Sequence, residues 1–106
     1  MTSVRLLDIA EAEVMEAAQH YNSERQGLGD TFIEHVRSTL NRIAEYPEAF
    51  GFAAAQIRVK QVTKFPYAIL YHVKLNEVIV LAVMHAHRDP VTWQERIKLL
   101  NLENDS

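Results

Sequence analysis

Residues 65–85 read FPYAILYHVKLNEVIVLAVMH, and this stretch decides the fold. Tyr67, Ile69, Tyr71 and Val73 alternate with Ala68, Leu70 and His72, the two-residue period of a strand with one face in a core. Leu75-Asn76-Glu77 interrupts the pattern with turn-tolerant residues, and Val78–His85 follows as an almost unbroken apolar run. Such a run is covered on both faces, so it belongs inside a sheet, and the short break makes the pair an antiparallel hairpin.

Just upstream, Ile57, Val59 and Gln61 alternate with Arg58, Lys60 and Val62, which predicts a third strand with a basic outer face, entered from a loop over 50–56. Downstream, Asp89 before Pro90 ends the last strand. Thr92-Trp93-Gln94-Glu95 has capping-box spacing and predicts a C-terminal helix to about Leu100, with a polar tail over 101–106 expected to fray.

Towards the N-terminus the period changes to that of helices. Asp8 and Glu11 read as an N-cap with its reciprocal carboxylate, and Val14, Ala17, Ala18 and Tyr21 recur at i, i+3, i+4 and i+7. This narrow, alanine-rich stripe suits close packing, and Gly27 and Gly29 supply left-handed positions that end the helix. Phe32, Ile33, Val36, Leu40 and Ile43 give a second helix a bulkier stripe, which Pro47 terminates. With the apolar-leaning segment Ser3–Leu7 in front, the expected order is β-α-α-β-β-β-α. This is an α+β fold with two N-terminal helices on one face of an antiparallel sheet, its three consecutive strands joined by the first.

The chain has 106 residues, 48% of them hydrophobic, which is the size of one domain over residues 1–106. The absence of cysteine excludes disulfide scaffolds and cysteine-based zinc sites. The longest apolar stretch, Val78–Met84, falls far short of the roughly 20 residues that cross a bilayer, and no basic-then-apolar leader opens the chain. A cytoplasmic protein with no membrane partner is expected. The net charge of −3 argues against a protein that coats nucleic acid, but it hides an asymmetry. Residues 1–50 carry nine acids against four arginines, and residues 51–100 carry seven basic side chains against three acids. Helices this acidic do not read DNA.

Candidate chemistry gathers in the basic half. His85-Ala86-His87-Arg88-Asp89 places two histidines two apart, as a metal site wants, but Pro90 stands where a binuclear hydrolase needs a further histidine. No metal is expected. No serine sits on a strained nucleophile turn, and no glycine-rich phosphate loop is present. Arg58, Lys60, Lys64, Arg88 and Arg96, interleaved with Tyr67, Tyr71 and Trp93, suggest a basic, aromatic surface for RNA or an acidic peptide. The same pattern also serves to solvate the outer face of a sheet, with Trp93 capping the core and Arg96 on a solvated helix face.

In order along the chain, Ala17-Ala18, Tyr21, Gly27-Leu28-Gly29, Phe32, Ile57-Arg58, Phe65-Pro66-Tyr67, Tyr71, Val80-Leu81-Ala82-Val83, His85, Arg88-Asp89-Pro90, Trp93 and Arg96 resemble the RelE/ParE superfamily of type II toxins. The resemblance spans roughly residues 5–97. It implies the RelE-like fold, no cofactor, and a cognate antitoxin whose extended acidic or amphipathic segment orders on binding. Contact with DNA would come only through that antitoxin. Leu28, Phe32, Lys60 and Lys64 are the antitoxin-binding candidates.

Two branches of the superfamily imply two targets. The RelE-like branch implies cleavage of messenger RNA on the ribosome, which would fall here to Arg58, His85 and Arg88 acting on the phosphate and its protons. Such nucleases commonly carry an arginine directly after the tyrosine that aligns with Tyr67, and here that position is Ala68. The ParE-like branch implies inhibition of DNA gyrase by binding alone. Phe65-Pro66-Tyr67 and the ending from His85 to Arg96 resemble this branch more closely, so Arg58, Tyr67, Tyr71, Arg88, Trp93 and Arg96 are the target-binding candidates.

Overall fold

A computed structural model describes residues 2–86 and 94–100. The elements are β1 (Ser3–Leu6), α1 (Asp8–Glu24), α2 (Leu28–Glu45), β2 (Phe52–Ala54), β3 (Ile57–Gln61), β4 (Tyr67–Lys74), β5 (Glu77–His85) and a C-terminal 3-10 helix (Glu95–Leu100). The order departs from expectation at two places. A short strand, β2, forms inside the segment read as a loop, and the C-terminal helix is of the tighter 3-10 type. Thr92 and Trp93, half of the expected capping box, lie outside the described residues, as does the tail.

The two helices form a hairpin whose turn depends on glycine for two different reasons. Gly27 takes a left-handed backbone at φ +88°, where a side chain is strained. Gly29 is helical and buried instead. A Cβ there would run into the Ala18 carbonyl, so Gly29 serves close approach of the helices rather than a left-handed turn. Its N–H donates to Asn22 Oδ1 at 2.8 Å, which ties the start of α2 to the end of α1. At the other end of α1, Leu7 occupies the N-cap position without a side-chain cap; Asp8 and Glu11 sit in the first turn, where their negative charge is stabilised by the positive end of the helix dipole.

The sheet order is β1-β5-β4-β3-β2. β1 runs parallel to β5, with Leu6 opposite Val80, and the remaining neighbours pair antiparallel. The apolar β5 therefore lies inside the sheet, as its composition requires. Between β4 and β5 the register slips: Leu70 pairs with Ala82 but Tyr71 with Val80, so Leu81 is an extra residue. Val78, Val80 and Val83 consequently join the core under the helices, while Ile79, Leu81, Ala82 and Met84 all join the core on the other face. Leu100 and Ile97 of the 3-10 helix pack against that second core, together with Ile57 and Leu70. The sheet is thus covered on both faces, by the hairpin on one and by the C-terminal segment on the other.

Candidate functional site

The strand register decides which candidate side chains share a place. Tyr67 opens β4 directly opposite His85, and their rings lie 5.7 Å apart. Behind this pair stands an aromatic cluster. Tyr67 meets Phe32 edge-on at 5.1 Å and Tyr21 at 6.1 Å, and Phe65 meets Phe32 at 5.1 Å, the geometry that aromatic quadrupoles favour. Burial, with the charges of Tyr67 and Glu24, raises the pKa of the Tyr21 hydroxyl above its ordinary value. A concavity of about 610 Å³ opens beside this end of the sheet, bordered by Ile9, Glu16 and His20 of α1 and by Tyr67 and Met84.

Beneath that concavity an ion pair joins segments 83 residues apart. Arg96 reaches Glu13 with both ends of its guanidinium, at 2.8 and 3.0 Å. The same arginine donates to the Leu81 carbonyl at 3.1 Å, and the Glu13 carboxylate also accepts the Val83 N–H at 3.0 Å. The pair therefore satisfies the edge of β5 just beyond the last residue that β1 covers, Val80. Arg96 is only 8% exposed. A place on a solvated helix face is excluded for it, since its fork is engaged by Glu13.

The basic strand, β3, lies on the other side of β4, next to the edge strand β2. Arg58 pairs with Tyr71 across β3 and β4, so it shares the helix-side face with that core residue. Its Nη1 donates to the Phe50 carbonyl at 2.6 Å, and its guanidinium covers the Phe52 ring at 4.0 Å. Lys60 lies over Phe50 at 4.8 Å. Lys64 occupies the exposed β3–β4 turn with φ +68°. A second concavity, of about 500 Å³, is bordered at this edge by Phe52, Arg58, His72 and Leu75. The His72 Nδ1–H donates to the Gln56 carbonyl at 2.9 Å.

Two sequence candidates belong to the core instead of the surface. Tyr71 and Phe32 are both 0% exposed, because their i+2 and i+4 positions continue the apolar faces of β4 and α2. Among the described residues the Tyr71 hydroxyl has no hydrogen-bond partner, and burial raises its pKa more than neighbouring Arg58 lowers it. Leu28 is half-buried against the same core. His87, Arg88, Asp89 and Trp93 lie outside the described residues. Arg58 and His85 are not brought together. Arg58 is in register with Tyr71, four residues along β4 from the Tyr67 that faces His85, a separation of about 13 Å along the strand. Sequence reasoning also missed Glu13, Phe50 and Phe52. Only the apolar character of Phe50 and Phe52 beside alternating cations hinted at their role.

Residues 4–90 match the family model described as the ParE toxin of the type II toxin–antitoxin system parDE. No curated protein matches the chain. Among solved structures, the chain resembles one from the chromosomal ParDE toxin–antitoxin system of P. aeruginosa, at 15% identity and TM-score 0.61, covering 80% of this chain and 96% of that one. It also resembles the isolated E. coli RelE toxin, at 21% identity and TM-score 0.63, covering 94% of this chain and 99% of that one. At these identities the two structures speak for the fold: helices on a mostly antiparallel sheet, as expected from the sequence.

Proposed function

Since this chain belongs to the ParE toxin family of type II toxin–antitoxin systems, we propose that it arrests growth by binding DNA gyrase and is neutralised by a cognate antitoxin. The single observation that carries binding over RNA cleavage is the dispersal of the nuclease candidates. Phosphoryl transfer to a ribose 2′-OH needs a proton acceptor and a charge donor converging on one phosphate, within hydrogen-bond reach of it. Arg58 is instead held on Phe50 and Phe52 at one edge of the sheet, while His85 stands against Tyr67 at the far end of β4. Ala68 supplies no cation between them.

The gyrase-contacting surface is the end formed by Tyr67 and His85, beside the concavity under α1; in sequence, Arg88 follows three residues after His85. Induction without antitoxin is expected to stop growth with DNA-damage signalling and relaxed plasmid DNA. Prompt translation arrest with cut messenger RNA would replace this reading. That second reading is favoured by the resemblance to the RelE fold, which covers nearly the whole chain. Under it, substituting His85 and Arg88 by Ala abolishes cleavage.

A further inference from the structure

β5 outruns the strand beside it. β1 ends in register with Val80, and the Leu7 N–H donates to the Val80 carbonyl at 3.0 Å before α1 leads the chain away. From Leu81 to His85 the strand has β4 on one side and, among the described residues, no strand on the other. Neighbouring carbonyls of a regular strand point to opposite edges, yet the Leu81 carbonyl turns to the same edge as that of Val80 and meets Arg96 Nη1 at 3.1 Å. The extra residue in the β4–β5 register accounts for this. Two residues on, the Val83 N–H donates to Glu13 Oε1 at 3.0 Å. Arg96 binds that oxygen at 2.8 Å and the other carboxylate oxygen at 3.0 Å. One donor and one acceptor, tied to each other, thus meet β5 as the peptide groups of a further strand would.

The geometry points to Glu13 and Arg96 as positioning residues for target binding: together they are a side-chain substitute for a strand, and they hold the far end of β5 so that His85 and Tyr67 are aimed as one surface. This rests on the gyrase-contacting role proposed above for that end. Beyond Val83 the backbone partners among the described residues lie on the β4 side: Met84 pairs with Ala68, His85 with Tyr67, and the Ala86 N–H donates to the Pro66 carbonyl at 2.8 Å. These contacts keep the two strands together. The clamp fixes the pair against α1, which is itself anchored in the core through Ala10, Val14 and Ala17 and so offers the carboxylate from a rigid element. Glu13 and Tyr67 border the same concavity, so a shift of the strand end against α1 reshapes the surface offered to the target. Lysine is no substitute for Arg96, because a point charge on a flexible stem cannot reach two carboxylate oxygens and a carbonyl at once.

Glu13 Oε1 alone serves both the Val83 N–H and one Arg96 nitrogen, and this separates positioning from stability. Glu13→Gln keeps an oxygen for both contacts but strands the Arg96 charge, whereas Glu13→Ala loses the contacts as well. The test compares both variants and Arg96→Lys with the parent, as full chains, at a temperature where circular dichroism shows each folded. Its readouts are the nuclear Overhauser contact between the His85 and Tyr67 rings, hydrogen exchange of the Val83 amide, and affinity for immobilised DNA gyrase. Glu13→Gln and Glu13→Ala should both lower the urea midpoint. Only Glu13→Ala and Arg96→Lys should lose the ring contact, speed Val83 exchange at least about ten-fold beyond the global change, and weaken gyrase binding at least about ten-fold. Glu13→Gln should bind gyrase within about three-fold of the parent. An unchanged ring contact in Glu13→Ala, or gyrase affinities that follow the urea midpoints alone, would overturn the proposal. Should Glu13→Ala not fold, Arg96→Lys, which keeps the charge and loses the fork, takes its place. A parent chain that does not bind gyrase would refute the gyrase reading, and the ring contact and Val83 exchange would then decide the positioning role by themselves.

Discussion

Replacing Glu13 by Ala should destabilise this protein far more than its place on a helix surface suggests. The substitution removes both contacts to the Arg96 fork and the acceptor for the Val83 N–H in one step. What remains is a cation whose side chain is 9% exposed, held among the described residues by the Leu81 carbonyl. Breaking a fully buried ion pair from one side costs about 3–5 kcal/mol. The Glu13 side chain is 20% exposed, so water can enter where it stood, which lowers the expected loss to about 2–4 kcal/mol. That is a large part of the roughly 5–15 kcal/mol that holds a domain folded. In urea unfolding, with a slope of about 1–3 kcal/mol per molar, a 3 kcal/mol loss moves the midpoint down by about 1–3 M. Arg96→Met should cost less, because the Glu13 carboxylate it leaves unpaired is the more exposed partner and keeps the Val83 N–H. The double variant should then cost less than the sum of the two, a coupling of about 1–3 kcal/mol. A Glu13→Ala loss below about 1 kcal/mol, or strict additivity in the cycle, would refute the clamp.

Three further outcomes follow from the packing. Tyr71→Phe removes a buried hydroxyl that has no partner among the described residues, so it should hold or raise stability, by up to about 1–3 kcal/mol; a lower urea midpoint would show that the hydroxyl is satisfied after all. Burial raises the pKa of Tyr71 in the folded chain, so above about pH 10 the unfolded chain holds fewer protons, and stability falls as pH rises through the folded value. Tyr71→Phe should flatten that fall, which urea midpoints between about pH 9 and 11 would detect. Gly29→Ala pushes a methyl group into the Ala18 carbonyl and should cost about 1–3 kcal/mol despite the better helix propensity, whereas Gly51→Ala meets nothing within 4 Å and should be silent in the same thermal melts.

Much of this architecture was legible because period and burial agree. The alternation from Tyr67 to Val73 and the stripe from Phe32 to Ile43 each point one way, and the structure buries those faces. β5 was legible as an inner strand from its unbroken apolar run. The extra residue behind that run was not, since Leu81 and Ala82 share a face only because of the slip in register. β2 was missed because Phe-Ala-Ala is short and two of its three residues have little strand preference; its pairing comes from β3 alone. Gly29 announced itself as a glycine, but only Ala18 across the hairpin explains it. The candidate site was harder to read. Tyr71 and Phe32 carry surface-capable chemistry on core periodicity, and periodicity won. The partner of Arg96 lies 83 residues away, and nothing local in the sequence marks Glu13 as its counterpart.

We propose that this chain poisons by binding and not by cutting. The most direct measurement sets the purified chain against DNA gyrase and against ribosomes translating a defined message. Loss of supercoiling with accumulation of cleaved plasmid, beside intact message, is the predicted result. Message cut on the ribosome while gyrase supercoils unhindered would contradict the account.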